Sequence, residues 1–497
     1  MAGRIDADMK PYLFLLTPYL FLLTLLLALP LAAAEQAGPS LEACRLKGIA
    51  RELRCGRIEV PENPDAASGR RITVHFAVQP AVARDKLPDP LFVFAGGPGQ
   101  SAMRVAGSLQ PLLASLNARR DLVFIDQRGT GRSNPLACRP PGRAAPLAES
   151  LDSERQIAQL VDCLRRLRRD SDLAQYATWI AARDVEAVRA ALGYVRINLW
   201  GASYGTRAAL EYLRQFPDRV RAAVLDGMAP ASMQLPASFA VDGEHALAAQ
   251  IAACEAAADC RARYPGLSSS VERLLREADN GIHIKVPHPL SGEPQGGRLD
   301  RATLANLLRA PLYAPTLAAV LPYTLAQAAG GDYAPLVALS TAVSGSVAED
   351  FAEGMHFAVI CAEDMPRVDA AAAAASAATR FGTGVLDMYR RVCREVPVRP
   401  PAAGFFETPP ATAPVLLLSG GVDPATPPRH AQAVAAALPN SRHLVAPALG
   451  HGVSMQGCAT ELVQRFIRQA NFDAIDGSCL EKLPAPRFFQ PPRPDAR

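Results

Sequence analysis

The chain has no long basic run. Its 52 lysines and arginines against 48 aspartates and glutamates leave a formal net charge of +4, spread along 497 residues. Nucleic acid and strongly acidic partners are therefore not indicated. No two of its ten cysteines stand as C-x-x-C, and no cysteine–histidine cluster has the spacing of a zinc site. Nothing in the pattern calls for a metal.

What is present starts at the N-terminus. Tyr12 to Leu29 is almost wholly apolar, and Ala32-Ala33-Ala34 offers a cleavage site before Glu35. The segment PYLFLLT occurs twice in tandem, at 11–17 and 18–24, which lengthens the apolar region toward spanning length. Pro18 interrupts it and the cleavage site follows. Residues 1–34 therefore read as a removed export signal, with a retained membrane anchor as the alternative. Membrane contact is expected only if that segment stays. Asp6 and Asp8 are out of place in a region that should be positive, and Met9-Lys10 makes a cleaner start. All ten cysteines lie beyond residue 34, at 44, 55, 138, 163, 254, 260, 361, 393, 458 and 479. An even number in an exported chain points to disulfides. Pairing in sequence order is the simplest arrangement, though sequence cannot fix it. Buried free thiols are the alternative.

Further on, two segments alternate like strands, 56–60 and 71–78, with a turn between them. They suit an antiparallel start to a sheet. Short apolar strands follow at 91–94, 122–125, 195–200 and 220–225, separated by helical patterns at about 103–116, 154–168, 182–192 and 206–216. Such alternation implies a parallel sheet with crossover helices. From about 230 to 405 the chain is alanine-rich and mostly helical, with 287–297 reading as a loop and no strand of the core type. Alternation returns with strands at 415–419 and 443–445 and helices at about 428–438 and 458–469. The expected organisation is a signal at 1–34, a sheet domain at 35–229 and 406–482, a helical insertion at 230–405, and a poorly ordered proline-rich tail at 483–497. Entering after the strand that follows residue 205, the insertion should lie over the carboxyl ends of the strands, where open α/β sheets bind ligands.

The chemistry centres on Gly201-Ala202-Ser203-Tyr204-Gly205, of the form G-x-S-x-G, set between a strand and a helix. That context makes it a nucleophile elbow: the serine sits on a sharp turn with its oxygen aimed out of the sheet, and its neighbours must be small. A serine needs a base, and the base needs a carboxylate to fix its tautomer. The expected chain order is serine, acid, histidine. Asp423, in the loop Gly420-Gly421-Val422-Asp423-Pro424, is the favoured acid, and Asp226 at the end of the strand after the elbow is its rival. His451, in Leu449-Gly450-His451-Gly452, is the favoured base over His430 and His443. Acyl transfer also needs oxyanion donors. The backbone N–H of Tyr204 is one, and Gly97 in Gly96-Gly97-Pro98-Gly99 is the choice for the second, since Pro98 has no N–H.

Four motifs now stand in one order: AGGPG at 95–99, DQRGTGRS at 126–133, GASYG at 201–205, and GGVDPATP with GHG at 420–427 and 450–452. Together they resemble the α/β-hydrolase peptidases of the proline iminopeptidase and tripeptidyl aminopeptidase family, closest to its exported tripeptidyl branch. The likeness runs from about 50 to 480. One departure is Ala95, where proline iminopeptidases usually carry histidine. The resemblance implies an α/β-hydrolase core with a helical cap, and an exopeptidase that reads the free α-ammonium of short peptides with a cap carboxylate. Glu363, and after it Asp364, best match that role, the alternative being ordinary solvated acids at a helix end. Asp126 and Arg128 are expected to be structural. No cofactor is expected. An esterase or lipase using the same triad is the first rival reading. A silent binding protein on this fold is the second.

Overall fold

The segments LFVF, LVFI and VLLL carry no polar side chain, which suits strands covered on both faces. In the computed structural model they lie inside one nine-stranded sheet. Residues 38–66, 68–138, 144–347 and 351–492 are described. The expected signal, 1–34, lies outside them. From Pro39 onward the chain forms one compact unit. Among the described residues no helix is long and apolar enough to cross a membrane.

The strands are β1 (Glu42–Cys44), β2 (Leu53–Pro61), β3 (Arg71–Gln79), β4 (Leu91–Phe94), β5 (Leu122–Ile125), β6 (Ile197–Ala202), β7 (Val220–Asp226), β8 (Ile282–Pro287), β9 (Pro294–Leu299), β10 (Val415–Gly420) and β11 (Ser441–Ala446). The large sheet runs β1-β2-β3-β5-β4-β6-β7-β10-β11. Its first members pair antiparallel and the rest, from β5 onward, parallel. Side chains alternate between two cores. Phe92, Phe94, Val123, Ile125, Val415 and Leu417 point to one face. Leu91, Val93, Leu122, Phe124, Leu416 and Leu418 point to the other. The two cores are closed by helices on both sides, such as Tyr204–Gln215 on the first and Ala459–Gln469 on the second. This is an α/β-hydrolase fold with a mostly parallel sheet.

The chain crosses β4 once in laying down the sheet: β5 lies on one side of it, and β6 on the other. The loop after β4 and the elbow after β6 thus emerge side by side, with Phe94 opposite Gly201. Such a switch point opens a crevice at the carboxyl ends of the strands. β7 ends between the two other functional loops: Asp226 pairs with Ala202 on one side and Leu418 on the other.

Three expectations need correction. Residues 287–297 are only partly a loop: 288–293 form the turn of an antiparallel hairpin of β8 and β9, whose buried Ile284 and Val286 join the core of the insertion. The glycine- and proline-rich composition hid the second strand. The helix expected at 103–116 is two short ones, Ala102–Val105 and Gln110–Leu113, because a turn at Gly107 breaks it and Pro111 restarts it. The tail is anchored as far as it is described. Phe489 donates its amide to the Ala319 carbonyl (3.0 Å) and its ring packs edge-on against Tyr323. In addition β1, too short to show a pattern, extends the sheet by one strand. The cysteines pair in sequence order: Cys44–Cys55, Cys138–Cys163, Cys254–Cys260, Cys361–Cys393 and Cys458–Cys479.

The elbow depends on two close approaches. A Cβ on Gly201 would come within 2.4 Å of the Gly205 carbonyl oxygen, and one on Gly205 within 2.1 Å of the Phe94 carbonyl oxygen. Both obstacles are backbone and cannot swing away. Gly205→Ala is therefore expected to destabilise the protein by about 1–3 kcal/mol through overpacking, measured as a lowered urea midpoint. An unchanged midpoint would contradict this packing.

Candidate active site

Ser203 ends β6 at φ 56°, ψ −128°, a conformation that costs a non-glycine residue of order 1–3 kcal/mol. Its backbone N–H is held by the Asp226 carbonyl (2.9 Å) and its carbonyl accepts from Thr206 through both the amide (2.9 Å) and the hydroxyl (2.6 Å). The turn is fixed from both sides while Ser203 Oγ bonds to no described residue. Sequence reasoning placed the turn correctly because strand, small residues and helix all read out locally.

Asp423 and His451 come together from separate loops. His451 Nδ1 donates to Asp423 Oδ2 at 2.8 Å. The other carboxylate oxygen accepts the amides of Ala425 (2.8 Å) and Thr426 (2.9 Å), and the Thr426 hydroxyl donates to Oδ2 at 2.8 Å. Burial works against the charged carboxylate, but the imidazole and these amides outweigh it and hold Asp423 below the ordinary range. For His451 burial disfavours the charged form, yet Asp423, with Asp226 behind it, raises the imidazole above its ordinary 6.5. Thr426 Oγ1 also lies 3.1 Å from His451 Nδ1. From the insertion, the Tyr313 carbonyl accepts the His451 amide (3.0 Å) and the Tyr313 ring stands edge-on to the imidazole at 5.2 Å. Neither Thr426 nor Tyr313 was foreseen. Thr426 lies inside the GGVDPATP motif and was open to reading; Tyr313 carries no local signal.

The end of β7 joins the two halves. Asp226 O holds the Ser203 amide, and a Cβ on the next residue, Gly227, would lie 3.4 Å from His451 Cε1. The carboxylate of the rival acid Asp226 is engaged elsewhere, accepting the amides of Val453 (2.9 Å) and Ser454 (2.7 Å). It shapes the loop after His451 without touching the imidazole. His430 bonds to buried Asp242 and His443 to Ser419, each at 3.0 Å.

Gly97 (φ 111°) lies in the loop after β4, and Tyr204 opens the elbow helix. Neither donates its backbone N–H to another described residue. A Cβ on neighbouring Gly96 would be 3.3 Å from Ser203 Cβ, so this loop borders the serine. Asp126 braces it, accepting from Ser101 Oγ (2.5 Å) and the Met103 amide (3.1 Å). Arg128 is buried against Asp184 (2.6 and 2.7 Å). Both are structural, as expected.

Glu363 and Asp364 behave differently from the expectation. Both are fully buried and face Arg207 of the elbow helix. Arg207 Nη1 donates to Glu363 (3.1 Å) and Asp364 (2.8 Å), and Nη2 donates to Asp364 (3.1 Å). The amides of Thr178 (2.6 Å) and Leu235 (3.1 Å) satisfy the remaining oxygens. Every oxygen of both acids thus already accepts a hydrogen bond within the protein. The sequence could not reveal this, because Arg207 lies more than 150 positions away. Glu353, ten residues earlier on the same helix (Glu353–Glu363), is the opposite case. Its carboxylate has no described partner, partial burial alone pushes it up to about 7, and it lines a cavity of about 910 Å³ together with Ile157, Leu160, Phe357 and Met388, a cavity that none of Ser203, His451, Gly97 and Tyr204 lines. In sequence it looks like any acid in a first helical turn. Among the described residues no cluster of histidine, cysteine and carboxylate could hold a metal.

Known proteins agree with this fold. The model of the α/β-hydrolase fold matches residues 89–249, and that of the TAP-like proteins matches residues 377–479. The chain has the α/β-hydrolase fold, and its C-terminal part is similar to the TAP-like proteins. The serine protease Hip1 of Mycobacterium tuberculosis is 34% identical over 186 residues, 35% of either chain. The tripeptidyl aminopeptidase of Streptomyces coelicolor is 30% identical over 217 residues, 40% of either chain. Carboxylesterase B of Mycobacterium tuberculosis is 32% identical over 193 residues, 36% of either chain. The chain thus spans little more than a third of the length of the curated relatives it matches.

Removing the guanidinium from Arg207→Ala leaves two buried carboxylates facing each other. A loss of about 3–5 kcal/mol is expected, read as a lowered unfolding midpoint. A variant as stable as the parent would show that the trio does not hold the elbow helix to the insertion.

Proposed function

We propose that the chain is an exported serine peptidase that removes residues from the free N-terminus of short peptides, of tripeptidyl or prolyl aminopeptidase type. The observation that carries this reading is the buried pair of His451 and Asp423 at the β7 end that also fixes the Ser203 turn. Ser203 Oγ attacks the scissile carbonyl while His451 Nε2 takes its proton. The tetrahedral oxyanion is held by the N–H groups of Gly97 and Tyr204. His451 then gives the proton to the leaving amine, the C–N bond breaks, and an acyl-enzyme remains. Water repeats the cycle and releases the N-terminal fragment. Asp423 keeps the Nδ1–H tautomer and stabilises the imidazolium. Export is supported by the five disulfides and the apolar N-terminal segment.

The free N-terminus is assigned to Glu353 in place of Glu363 and Asp364. A partly buried carboxylate without a described partner is costly and is relieved by an incoming ammonium. Glu353 also sits next to Ala352, whose amide bonds to Gly99 of the oxyanion loop at 2.9 Å. A carboxylesterase with the same machinery is the second reading, favoured by the likeness to carboxylesterase B. Such an enzyme has no use for an acid so placed.

The test is a panel of fluorogenic peptides, free and N-blocked, beside a simple ester. Free peptides are expected to be turned over and blocked ones not; equal turnover, or turnover of the ester alone, contradicts the reading. A fluorophosphonate should label the parent and not Ser203→Ala. Glu353→Gln should raise KM for free peptides roughly tenfold or more, the worth of a charge-assisted hydrogen bond, and leave ester hydrolysis unchanged. The pH dependence has a definite sign. His451 must be neutral to act as base, and its pKa is raised, so kcat falls as pH drops through a midpoint above 6.5. Glu353 must be charged to hold an ammonium and titrates near 7, so KM rises below that pH. The second ionisation should vanish in Glu353→Gln.

A further inference from the structure

The helix Glu353–Glu363 touches both sides of the proposed oxyanion hole. Its far end reaches the elbow: Glu363 accepts the Thr178 amide, and the Thr178 hydroxyl is 2.7 Å from the Tyr204 hydroxyl. Its near end reaches the loop after β4. Phe351 and Gln100 form an antiparallel bridge, and the Ala352 amide donates to the Gly99 carbonyl at 2.9 Å. One turn later His356 enters. Its Nδ1 lies 3.2 Å from the Pro98 carbonyl oxygen, and its Nε2 lies 2.5 Å from the hydroxyl of Tyr389.

These contacts force one tautomer. A carbonyl only accepts, so the proton sits on Nδ1 and points at Pro98 O. Nε2 is then bare and accepts the Tyr389 O–H. Burial pushes the imidazole down to about 4, so it stays neutral wherever His451 titrates. Phe351, Phe357 and Tyr389 pack around the ring at centroid distances of 5.5, 5.3 and 5.9 Å. Tyr389 belongs to the helix Gly384–Val392, and the Cys361–Cys393 disulfide ties the end of that helix back to the first one. His356 therefore cannot shift without moving two cross-linked helices.

We propose that His356 is a positioning residue for the oxyanion hole: by holding the Pro98 carbonyl it fixes the orientation of the Gly97 N–H beside Ser203. The carbonyl of Pro98 and the amide of Gly97 belong to one tight turn, in which a Cβ on Gly97 would already meet the Gly99 nitrogen at 2.5 Å. The Gly97 N–H stands two peptide planes before the Pro98 carbonyl, with only the Gly97–Pro98 peptide between them, and in so tight a turn holding one end restricts the orientation of the other. The inserted helix then does more than cover the site. It sets the donor geometry that stabilises the transition state, and this role rests on the serine-hydrolase reading above.

The experiment compares the parent with His356→Phe, which keeps the ring packing and loses the donor, and with His356→Asn, whose amide can replace the Nδ1–H. Two quantities are read: hydrogen exchange of the amides in segment 95–100, and kcat and KM on the best peptide of the panel. Losing an oxyanion donor outright costs about 100- to 1,000-fold in kcat. Misdirecting one in His356→Phe is expected to cost roughly tenfold or more of kcat, with KM changed less than about threefold. Exchange in 95–100 should quicken while the core strands keep their protection, and His356→Asn should recover most of both. The acid limb of kcat should not move, because His451 is untouched. If His356→Phe does not fold, Tyr389→Phe decides: it releases the tautomer and should show the same pattern more weakly. Unchanged exchange in a folded variant overturns the proposal. So does a loosened segment with unchanged kcat, or a loss confined to KM. Exchange is read without turnover, so a parent that fluorophosphonate fails to label would refute the serine-hydrolase reading and leave the clamp to be judged by exchange.

Discussion

Everything at the site depends on one backbone constraint, the left-handed turn at Ser203. A serine at φ 56° is held there only if the surroundings outweigh its cost. They do so through the amide bond to Asp226 O, the double grip of Thr206 on the Ser203 carbonyl, and two glycines at which any Cβ would strike backbone. Because β7 supplies the first of these and also abuts His451, the turn that exposes the hydroxyl and the loop that delivers the base share one support. Distortion at Asp226 would displace both.

The insertion between β7 and β10 takes part in this support. Tyr313 fixes the backbone and ring of His451 from one direction. The helix Glu353–Glu363 reaches the loop after β4 through Ala352 and His356 and the elbow helix through Glu363, Asp364 and Arg207. Charged groups buried at one end of that helix are matched, while Glu353 at the other end has no described partner. Matched carboxylates in a low-dielectric interior brace structure.

The parts legible in sequence were those specified locally. The buried strands declared themselves by apolar runs, the elbow by G-x-S-x-G between strand and helix, and the proposed acid and base by their loops and chain order. The site was illegible wherever a residue's role is assigned by a distant partner. Glu363 and Asp364 read as free helix-end acids because nothing near them announces Arg207. Glu353 drew no reading from the sequence, because its lack of a described partner is a property of the fold. His356 and Tyr313 needed the insertion to be placed on the sheet before they meant anything. The hairpin at β8 and β9 was lost for a different reason: its glycines and prolines imitate a loop until cross-strand pairing is seen.

The most direct measurement is a crystal structure of the protein after reaction with a peptidyl phosphonate. The account predicts phosphorus bonded to Ser203 Oγ, its oxygen accepting from the amides of Gly97 and Tyr204, His451 Nε2 within hydrogen-bond reach of Oγ, and the free ammonium of the peptide at Glu353. An adduct on another residue, or one at Ser203 with His451 turned away and its bond to Asp423 broken, would contradict it.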